Sequence, residues 1–134
     1  MDLEILKIAS NIDNHKIIKD HSHFSKNKNS ICGDEMEIGL LVKKNKIIKF
    51  GYQCKSCIYC QASASLLSRN LIEKTLDEVN ELINQSEFFF INNNKKISNK
   101  WKIFKNIMSQ KNISRKECLL LPFETLSKAL SFKK

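Results

Sequence analysis

Apolar and polar residues alternate along two neighbouring stretches in the first half of the chain. Every second residue is apolar from 36 to 42, and again from 48 to 52. A period of two is typical of a half-buried β-strand. The polar residues 44–46 lie between the two stretches and predict a hairpin turn. We therefore expect an antiparallel hairpin, whose first strand begins at the same edge at which its second strand ends.

Most of the remaining apolar residues recur every three or four positions, which is typical of helices that bury one side. This spacing predicts helices over residues 2–20, 62–70, 75–83 and 101–108. A final helix is expected after residue 114, with Pro122 in its first turn. Residues 21–30 are mostly polar and predict a loop. The apolar run 88–91 is expected in the core, with a partner surface as the alternative.

Three cysteines lie where the second strand meets the next helix. Cys54, Cys57 and Cys60 are spaced by three residues and are followed at once by the small residues 62–65. The N-terminus of a helix favours negative charge, so a thiolate is stabilised there. Small residues let the helix approach its neighbours, or a bound ion, closely. We expect the chemistry of the protein at this junction.

Other segments also offer donor atoms. Cys32 and Asp34 are separated by one glycine, so a thiolate and a carboxylate can face one cation; a turn with a buried thiol is an equally good interpretation. Cys118 comes just before the final helix. A single cysteine at such a position is more often a packed residue than a functional one, unless it lies close to the other two cysteine segments in the fold. His21 and His23 could bind a metal, although two histidines in a polar stretch are more often solvated.

Composition narrows the class of protein. With 134 residues the chain fits a single domain, residues 1–134, with one core. It has neither a run of about 18 apolar residues nor a secretory signal, so we expect a cytoplasmic protein with no membrane partner. Its five cysteines are then thiols or metal ligands rather than disulfides. The formal charge of +9 comes almost entirely from scattered lysines, so nucleic acid is not expected as a partner.

Three segments together carry a resemblance to a known family. They are Cys32-Gly33-Asp34, Cys57 ahead of residues 62–65, and Arg115-Lys116-Glu117-Cys118 followed by Leu121-Pro122. In this order and spacing, which covers nearly the whole chain, they resemble the U-type iron–sulfur cluster assembly family of IscU, SufU and the N-terminal domain of NifU. Cys118 follows Cys57 by 61 residues, a gap similar to that of the SufU branch. The chain departs from the family upstream of Cys32, where the usual His-x-x-x-Pro-Arg-Asn-x-Gly segment lacks its proline.

The resemblance implies a fold and a ligand set. The family fold is α+β: a small antiparallel sheet of about three strands, with several helices packed on one face and the metal or cluster site at one edge. Carried over by motif, the ligands are Cys32, Asp34, Cys57 and Cys118. Three thiolates and one carboxylate suit either zinc or the iron of a transient [2Fe–2S] cluster. Of the two additional cysteines, Cys60 is expected to be a packed residue, and Cys54 a resolving thiol or an alternative ligand.

The same resemblance implies a role in sulfur chemistry, and three hypotheses stay open. As a scaffold, the protein would accept sulfur from a cysteine desulfurase of the SufS or IscS type, assemble the cluster and pass it to carriers or apo-proteins; such a scaffold is not a turnover enzyme. As a zinc-dependent sulfurtransferase, it would relay the sulfur on a thiolate released from zinc. Cys32 is the candidate persulfide acceptor, with Cys118 as the alternative. The third hypothesis is an inert, zinc-stabilised binding module.

Overall fold

The structure, a computed structural model, describes residues 3–29, 33–92 and 97–131. Within these residues it contains four α-helices, three β-strands and two 3-10 helical segments. In chain order they are α1 (Leu3–Ala9), β1 (His23–Lys28), β2 (Glu35–Lys43), β3 (Lys46–Lys55), α2 (Ile58–Asn70), α3 (Leu76–Asn92), the 3-10 segments Asn99–Asn106 and Gln110–Arg115, and α4 (Lys116–Ser131). Among the described helices, none combines the length and the apolar character that a membrane crossing requires.

The hairpin of β2 and β3 forms as the alternating pattern predicts. Its turn has two residues rather than three: Lys44 and Asn45 have φ angles of 52° and 65°, the left-handed values that tight hairpin turns require. The register places the large apolar side chains of both strands on one face. A shift in this register near the turn means that Ile47, rather than the expected Ile48, is fully buried.

A third strand, β1, forms in the stretch for which polarity predicts a loop, so that prediction was wrong for residues 23–28. This strand pairs antiparallel with β2 and completes the sheet order β1-β2-β3. Its inward side chains are polar: His23 and Ser25 are buried, and Ser25 Oγ donates a 2.6 Å hydrogen bond to the carbonyl of Thr125 in α4. A strand with hydrogen-bonded polar side chains on its buried face leaves no alternation of hydrophobicity to detect.

The helices cover one face of the sheet. Helices α2 and α4 pack against the strands and against each other, while α1 packs on α2 and α3 packs on α4. The first 3-10 segment closes the core with Trp101 and Phe104, whose rings meet the ring of Phe123 in α4 in a chain of edge-on contacts. The fold is therefore α+β, with a three-stranded antiparallel sheet and helices on one face, as predicted.

Helix α1 is much shorter than the predicted helix over residues 2–20. It ends at Ala9, after which Ser10 Oγ donates to the carbonyl of Lys7 and the N–H of Asp13 donates to Asn11 Oδ1. Short polar side chains that bond to nearby backbone groups offer the chain an alternative to the helix. The apolar spacing beyond residue 10 therefore does not produce a helix.

Three later elements also differ from their predicted extent or type. Helix α3 continues to Asn92 and includes the apolar run 88–91, of which Phe89 and Phe90 are buried, whereas Phe88 and Ile91 are exposed. Helix α4 starts at residue 116, so Cys118 is its third residue and Pro122 lies in its interior rather than in its first turn. The predicted helix over residues 101–108 is mostly 3-10, and its backbone is irregular at residue 101.

Irregular segments cover the outer edge of β3. The N–H of Tyr52 donates to the carbonyl of Asn14, and residues 73–75 pair with the start of the strand. Such cover prevents an open strand edge from pairing with another chain. Gly51 permits the first of these contacts, because a Cβ atom at this position would clash with the carbonyl oxygen of Lys16.

Candidate metal centre

Donor side chains from three separate parts of the chain converge at one edge of the sheet. Asp34 precedes β2, Cys57 precedes α2, and Cys118 lies in the first turn of α4. One carboxylate oxygen and the two sulfurs all lie within 4.8 Å of one another. The structure thus brings together three of the four ligands that the motif resemblance implies. The fourth, Cys32, lies outside the described residues.

Hydrogen bonds in the connection between β1 and β2 position Asp34. Its carbonyl accepts a 2.9 Å bond from the N–H of Asn29, and the carbonyl of Asn29 accepts a 2.8 Å bond from the N–H of Gly33. Gly33 has a φ of +77°, which glycine adopts without steric cost. Asp34 is only 8% exposed. Because a buried carboxylate requires a hydrogen-bonded partner or a metal, this burial favours a ligand role.

Cys57 is the N-cap residue of α2. Its backbone is extended, with φ −71° and ψ 169°, and its side chain makes no capping hydrogen bond. The half-buried thiol faces Asp34 instead: Sγ donates to Oδ2 over 3.5 Å. The positive end of the helix dipole favours negative charge here. Cys57 and Asp34 thus form a donor pair at the N-terminal end of α2.

Contacts between α2 and α4 determine where Cys118 lies. Ser63 Oγ, on α2, donates a 2.8 Å hydrogen bond to the carbonyl of Leu119, and both residues are buried. Nearer the surface, the guanidinium of Arg115 lies 5.2 Å from the centre of the Tyr59 ring, a distance typical of a cation–π contact. The two contacts join the N-terminal half of α2 to the start of α4 and the residue before it, and so they bring Cys118 near Cys57.

The chemistry of this donor set suits a thiophilic cation. Two sulfurs that bind one zinc ion at about 2.3 Å in tetrahedral geometry are about 3.8 Å apart, so donor atoms within 4.8 Å of one another need only small side-chain rotations. Two sulfurs and one oxygen leave a fourth position, for which Cys32 is the expected ligand. A carboxylate is a harder ligand than a thiolate, so the set is less closed than a four-cysteine structural zinc site.

The other candidate ligands do not join this group of described residues. His23 is buried in β1, where Nδ1 shares a 2.9 Å hydrogen bond with Ser22 Oγ, and the ring of His21 stacks on Phe24. Cys60 is completely buried in α2, and this burial raises the pKa of its thiol. A buried, protonated thiol agrees with the packing role predicted for Cys60.

Cys54 makes a contact that the sequence does not predict. It is half-buried near the end of β3, and its sulfur lies 3.6 Å from Nε2 of His15. The imidazole also packs edge-on against Tyr52, with ring centroids 5.0 Å apart. Burial is the main cause that raises the pKa of the Cys54 thiol. The apolar spacing predicts a helix through His15, so no local signal indicates that it reaches a cysteine 39 positions later.

Comparison with known proteins gives a consistent result at the level of sequence. Residues 3–131 match the model of the family described as the NifU-like N-terminal domain. The chain is also similar to the iron–sulfur cluster assembly scaffold protein IscU of Thermotoga maritima, with 28% identity over 117 residues, which cover 84% of this chain and 80% of that protein.

Solved structures agree in fold. One is a SufU of Fervidobacterium islandicum AW-1, described as a proposed iron–sulfur cluster assembly scaffold protein for the SUF system. Its sequence is 25% identical and the TM-score is 0.85. The match covers 97% of this chain and 96% of that chain. Another is the N-terminal part of a NifU-like protein of Brucella abortus, 21% identical, with a TM-score of 0.84 and coverage of 97% and 91%. At 21% identity, the second likeness concerns the fold alone.

Proposed function

Because the chain belongs to the NifU-like N-terminal domain family of iron–sulfur cluster assembly scaffolds, we propose that it assembles a transient [2Fe–2S] cluster for transfer to other proteins. The ligands in this proposal are Cys32, Asp34, Cys57 and Cys118. The sulfur comes from a cysteine desulfurase, and the finished cluster passes to a carrier or directly to an apo-protein.

One observation carries this proposal: the convergence of a buried carboxylate and two sulfurs from distant parts of the chain. A family fold alone does not imply a function, which depends on the site. Here the donor atoms are of the types that bind iron in clusters. They also lie at an edge of the sheet, where Cys57 is half-buried, so the site is open to a partner protein.

The carboxylate of Asp34 allows the site to exchange its bound metal or cluster. A scaffold must release its product, and a site with one hard oxygen ligand is easier to open than one closed by four thiolates. Asp34 also contacts Cys57 directly, so movement of one ligand affects the other. We assign the release of the cluster to the Asp34 side of the site.

Anaerobic reconstitution followed by native mass spectrometry tests the ligand set. Protein incubated with ferrous iron and sulfide is expected to gain the mass of one [2Fe–2S] cluster, and Cys57→Ser and Cys118→Ser are expected to lose it. Cys60→Ala is the matched control, because Cys60 lies outside the donor group. Cluster binding that survives both serine substitutions would contradict the proposed ligands.

Replacing Asp34 with cysteine tests the proposed basis of release. A site with only thiolate ligands should give up its iron to a chelator at least about tenfold more slowly, a barrier increase of about 1.4 kcal/mol. Asp20→Cys is the control, since this exposed carboxylate pairs with Lys49 on the surface. An unchanged release rate in Asp34→Cys would remove the argument for a labile carboxylate ligand.

The same donor set also accommodates zinc, which supports the sulfur-relay alternative. In that function, Cys32 is the acceptor of the persulfide sulfur, because it is the ligand next to the exchangeable Asp34. Cys118 is the weaker candidate, since this residue is only 6% exposed. If the protein retains zinc and gains sulfur from a desulfurase but never gains a cluster, its function is the sulfur relay and not the scaffold.

A further inference from the structure

An open cleft lies at the end of the sheet from which the chain leads to two donors of the candidate metal centre, Asp34 and Cys57. It encloses about 590 Å³, a volume within the range of small-molecule sites. Both members of the contact between Cys54 and His15 line this cleft. Cys54 is three residues before Cys57 in the chain, and in the sheet it pairs with Met36, two residues after Asp34. The cleft therefore lies at the same end of the sheet as the metal centre, although none of the three donor residues lines it.

The walls of the cleft carry a net positive charge. The lysines that line it are Lys26, Lys28, Lys55 and Lys128. Two glutamates, Glu35 and Glu37, lie among them, and Glu37 forms a 3.3 Å ion pair with Lys26. Two positive charges remain in excess. Clefts lined by one sign of charge raise the local concentration of ligands of the opposite sign, so this cleft favours an anion.

Cys54 differs from the other described cysteines in its availability. Cys57 and Cys118 belong to the donor group, and Cys60 is completely buried. A thiolate bound to a metal has its electron pair engaged and is a weaker nucleophile than a free one. Cys54 stands outside the donor group and faces the cleft. It is thus able to react while the metal centre is filled.

We infer that Cys54, with His15 as its base, accepts a sulfur atom from a small anionic persulfide that enters the cleft. The ligand is R–S–SH, in which R carries carboxylates that face the lysines. This inference rests on the proposed function, in which the protein handles sulfur, and it adds a receiving thiol that is separate from the metal ligands. The sulfur would then be held on a residue three positions before the ligand Cys57 in the chain.

The transfer needs no added oxidant or reductant. His15 Nε2 takes the proton of the Cys54 thiol, and the thiolate attacks the outer sulfur of R–S–SH. The new S–S bond forms on Cys54 as the old S–S bond breaks, and the leaving thiolate R–S⁻ takes the proton from the imidazolium. The products are Cys54–S–SH and R–SH. One sulfur atom has moved, and the electrons balance.

The surroundings of Cys54 make a base necessary. Burial raises the pKa of this thiol, so its resting form is protonated. A thiolate derived from a thiol of higher pKa is the stronger nucleophile once it forms, and an imidazole within contact distance can take its proton during the attack. The 3.6 Å separation of Cys54 Sγ from His15 Nε2 meets this requirement.

The test uses zinc-loaded protein and glutathione persulfide, whose carboxylates make it an anionic probe. After brief reaction, alkylation and peptide mapping by mass spectrometry, the added sulfur is expected mainly on Cys54. Cys54→Ser should lose this sulfur and keep its zinc. His15→Ala should react at least about tenfold more slowly and recover when imidazole is added, a rescue that a purely structural role of His15 would not produce. His21→Ala is the matched control and should react like the native protein.

Two outcomes would overturn the inference. One is equal labelling of native protein and Cys54→Ser, with the sulfur on Cys57, Cys118 or Cys32. The other is a slow His15→Ala variant that imidazole does not rescue. Cluster assembly is measured in parallel on the same variants. Normal cluster assembly without sulfur on Cys54 refutes this inference alone, whereas absence of any cluster or zinc from the native protein refutes the proposed function.

Discussion

At the scale of the residue, two glycines are required for different physical reasons. Gly33 has a positive φ of 77°, and a Cβ atom added there would meet nothing within 4 Å. Gly51 has no such backbone angle, but its Cβ would clash with the carbonyl oxygen of Lys16. The first glycine shapes the approach to Asp34, and the second allows an irregular segment to lie against β3.

Substitution by alanine and by asparagine should separate these two reasons. Gly51→Ala is expected to lower the free energy of unfolding by about 1–3 kcal/mol through steric overlap, and Gly51→Asn by at least as much. Gly33→Ala should cost about 1–2 kcal/mol through backbone strain, and Gly33→Asn should cost less, because asparagine tolerates a positive φ. Urea unfolding measures the change in the free energy of unfolding for each of the four variants. An asparagine that is harmless at residue 51 would contradict the proposed clash.

At the scale of the element, α3 begins with a reciprocal cap and an ion pair. The N–H of Glu78 donates to Thr75 Oγ1 over 3.2 Å, and the N–H of Thr75 donates to Glu78 Oε1 over 3.0 Å, which is a capping box. The other oxygen, Oε2, lies 2.8 Å from Lys100 Nζ at the start of the first 3-10 segment. The bond from Lys100, followed by the backbone bond from Thr75, lowers the pKa of Glu78 to about 2.

This carboxylate should make stability depend on acid pH. The folded state favours the ionised form, so the contribution of Glu78 is fully present above its ordinary pKa of 4.5 and is lost as the pH falls towards 2. Urea midpoints of the native protein and Glu78→Gln are expected to differ by a constant amount above about pH 5 and to converge towards pH 2. A difference that keeps its full size at pH 2 would show that the carboxylate charge is not its cause.

The predictability of the elements follows from how each one is stabilised. The β2–β3 hairpin could be predicted because its alternation is strong and local. The hydrophobic pattern could not predict strand β1, since its buried residues include His23 and Ser25, which are stabilised by hydrogen bonds that no such pattern records; only the family resemblance implied a third strand. The length of α1 was overestimated because apolar spacing ignores the backbone bonds made by Ser10 and Asn11.

At the scale of the whole molecule, the candidate site joins segments that are far apart in the chain. The hairpin accounts for the nearness of Asp34 and Cys57, because both adjoin the same end of the two strands. The position of Cys118 depends on packing between α2 and α4, so only the motif resemblance could suggest it. His15 reaches Cys54 through an irregular segment, and neither pattern nor resemblance predicts that contact.

A metal that binds three distant segments should stabilise the whole fold without being required for it. Zinc at about 100 times its Kd adds about 2.7 kcal/mol, which corresponds to a Tm increase of roughly 10 °C. A chelator should return the Tm to its metal-free value and leave a folded protein, because the core around Trp101, Phe104 and Phe123 does not depend on the site. Thermal unfolding followed by circular dichroism measures both effects.

Loss of the folded signal on chelation would contradict this expectation. It would identify the chain as a zinc-dependent module of the kind that unfolds without its metal, and the inert-module hypothesis would then replace the scaffold. Retention of the fold with an unchanged Tm in excess zinc would instead show that zinc does not bind.

The wide spacing of the donors also has a consequence during translation. The ribosome adds Cys118 61 residues after Cys57, which at about 5–20 residues per second takes roughly 3–12 s. Throughout that interval the nascent chain presents Asp34 and Cys57 without the third donor, because α4 has not been made. A cation bound at this stage is held by an incomplete set and is readily lost. Stable metal binding thus requires the finished polypeptide. A stably bound metal indicates that synthesis has passed the start of α4.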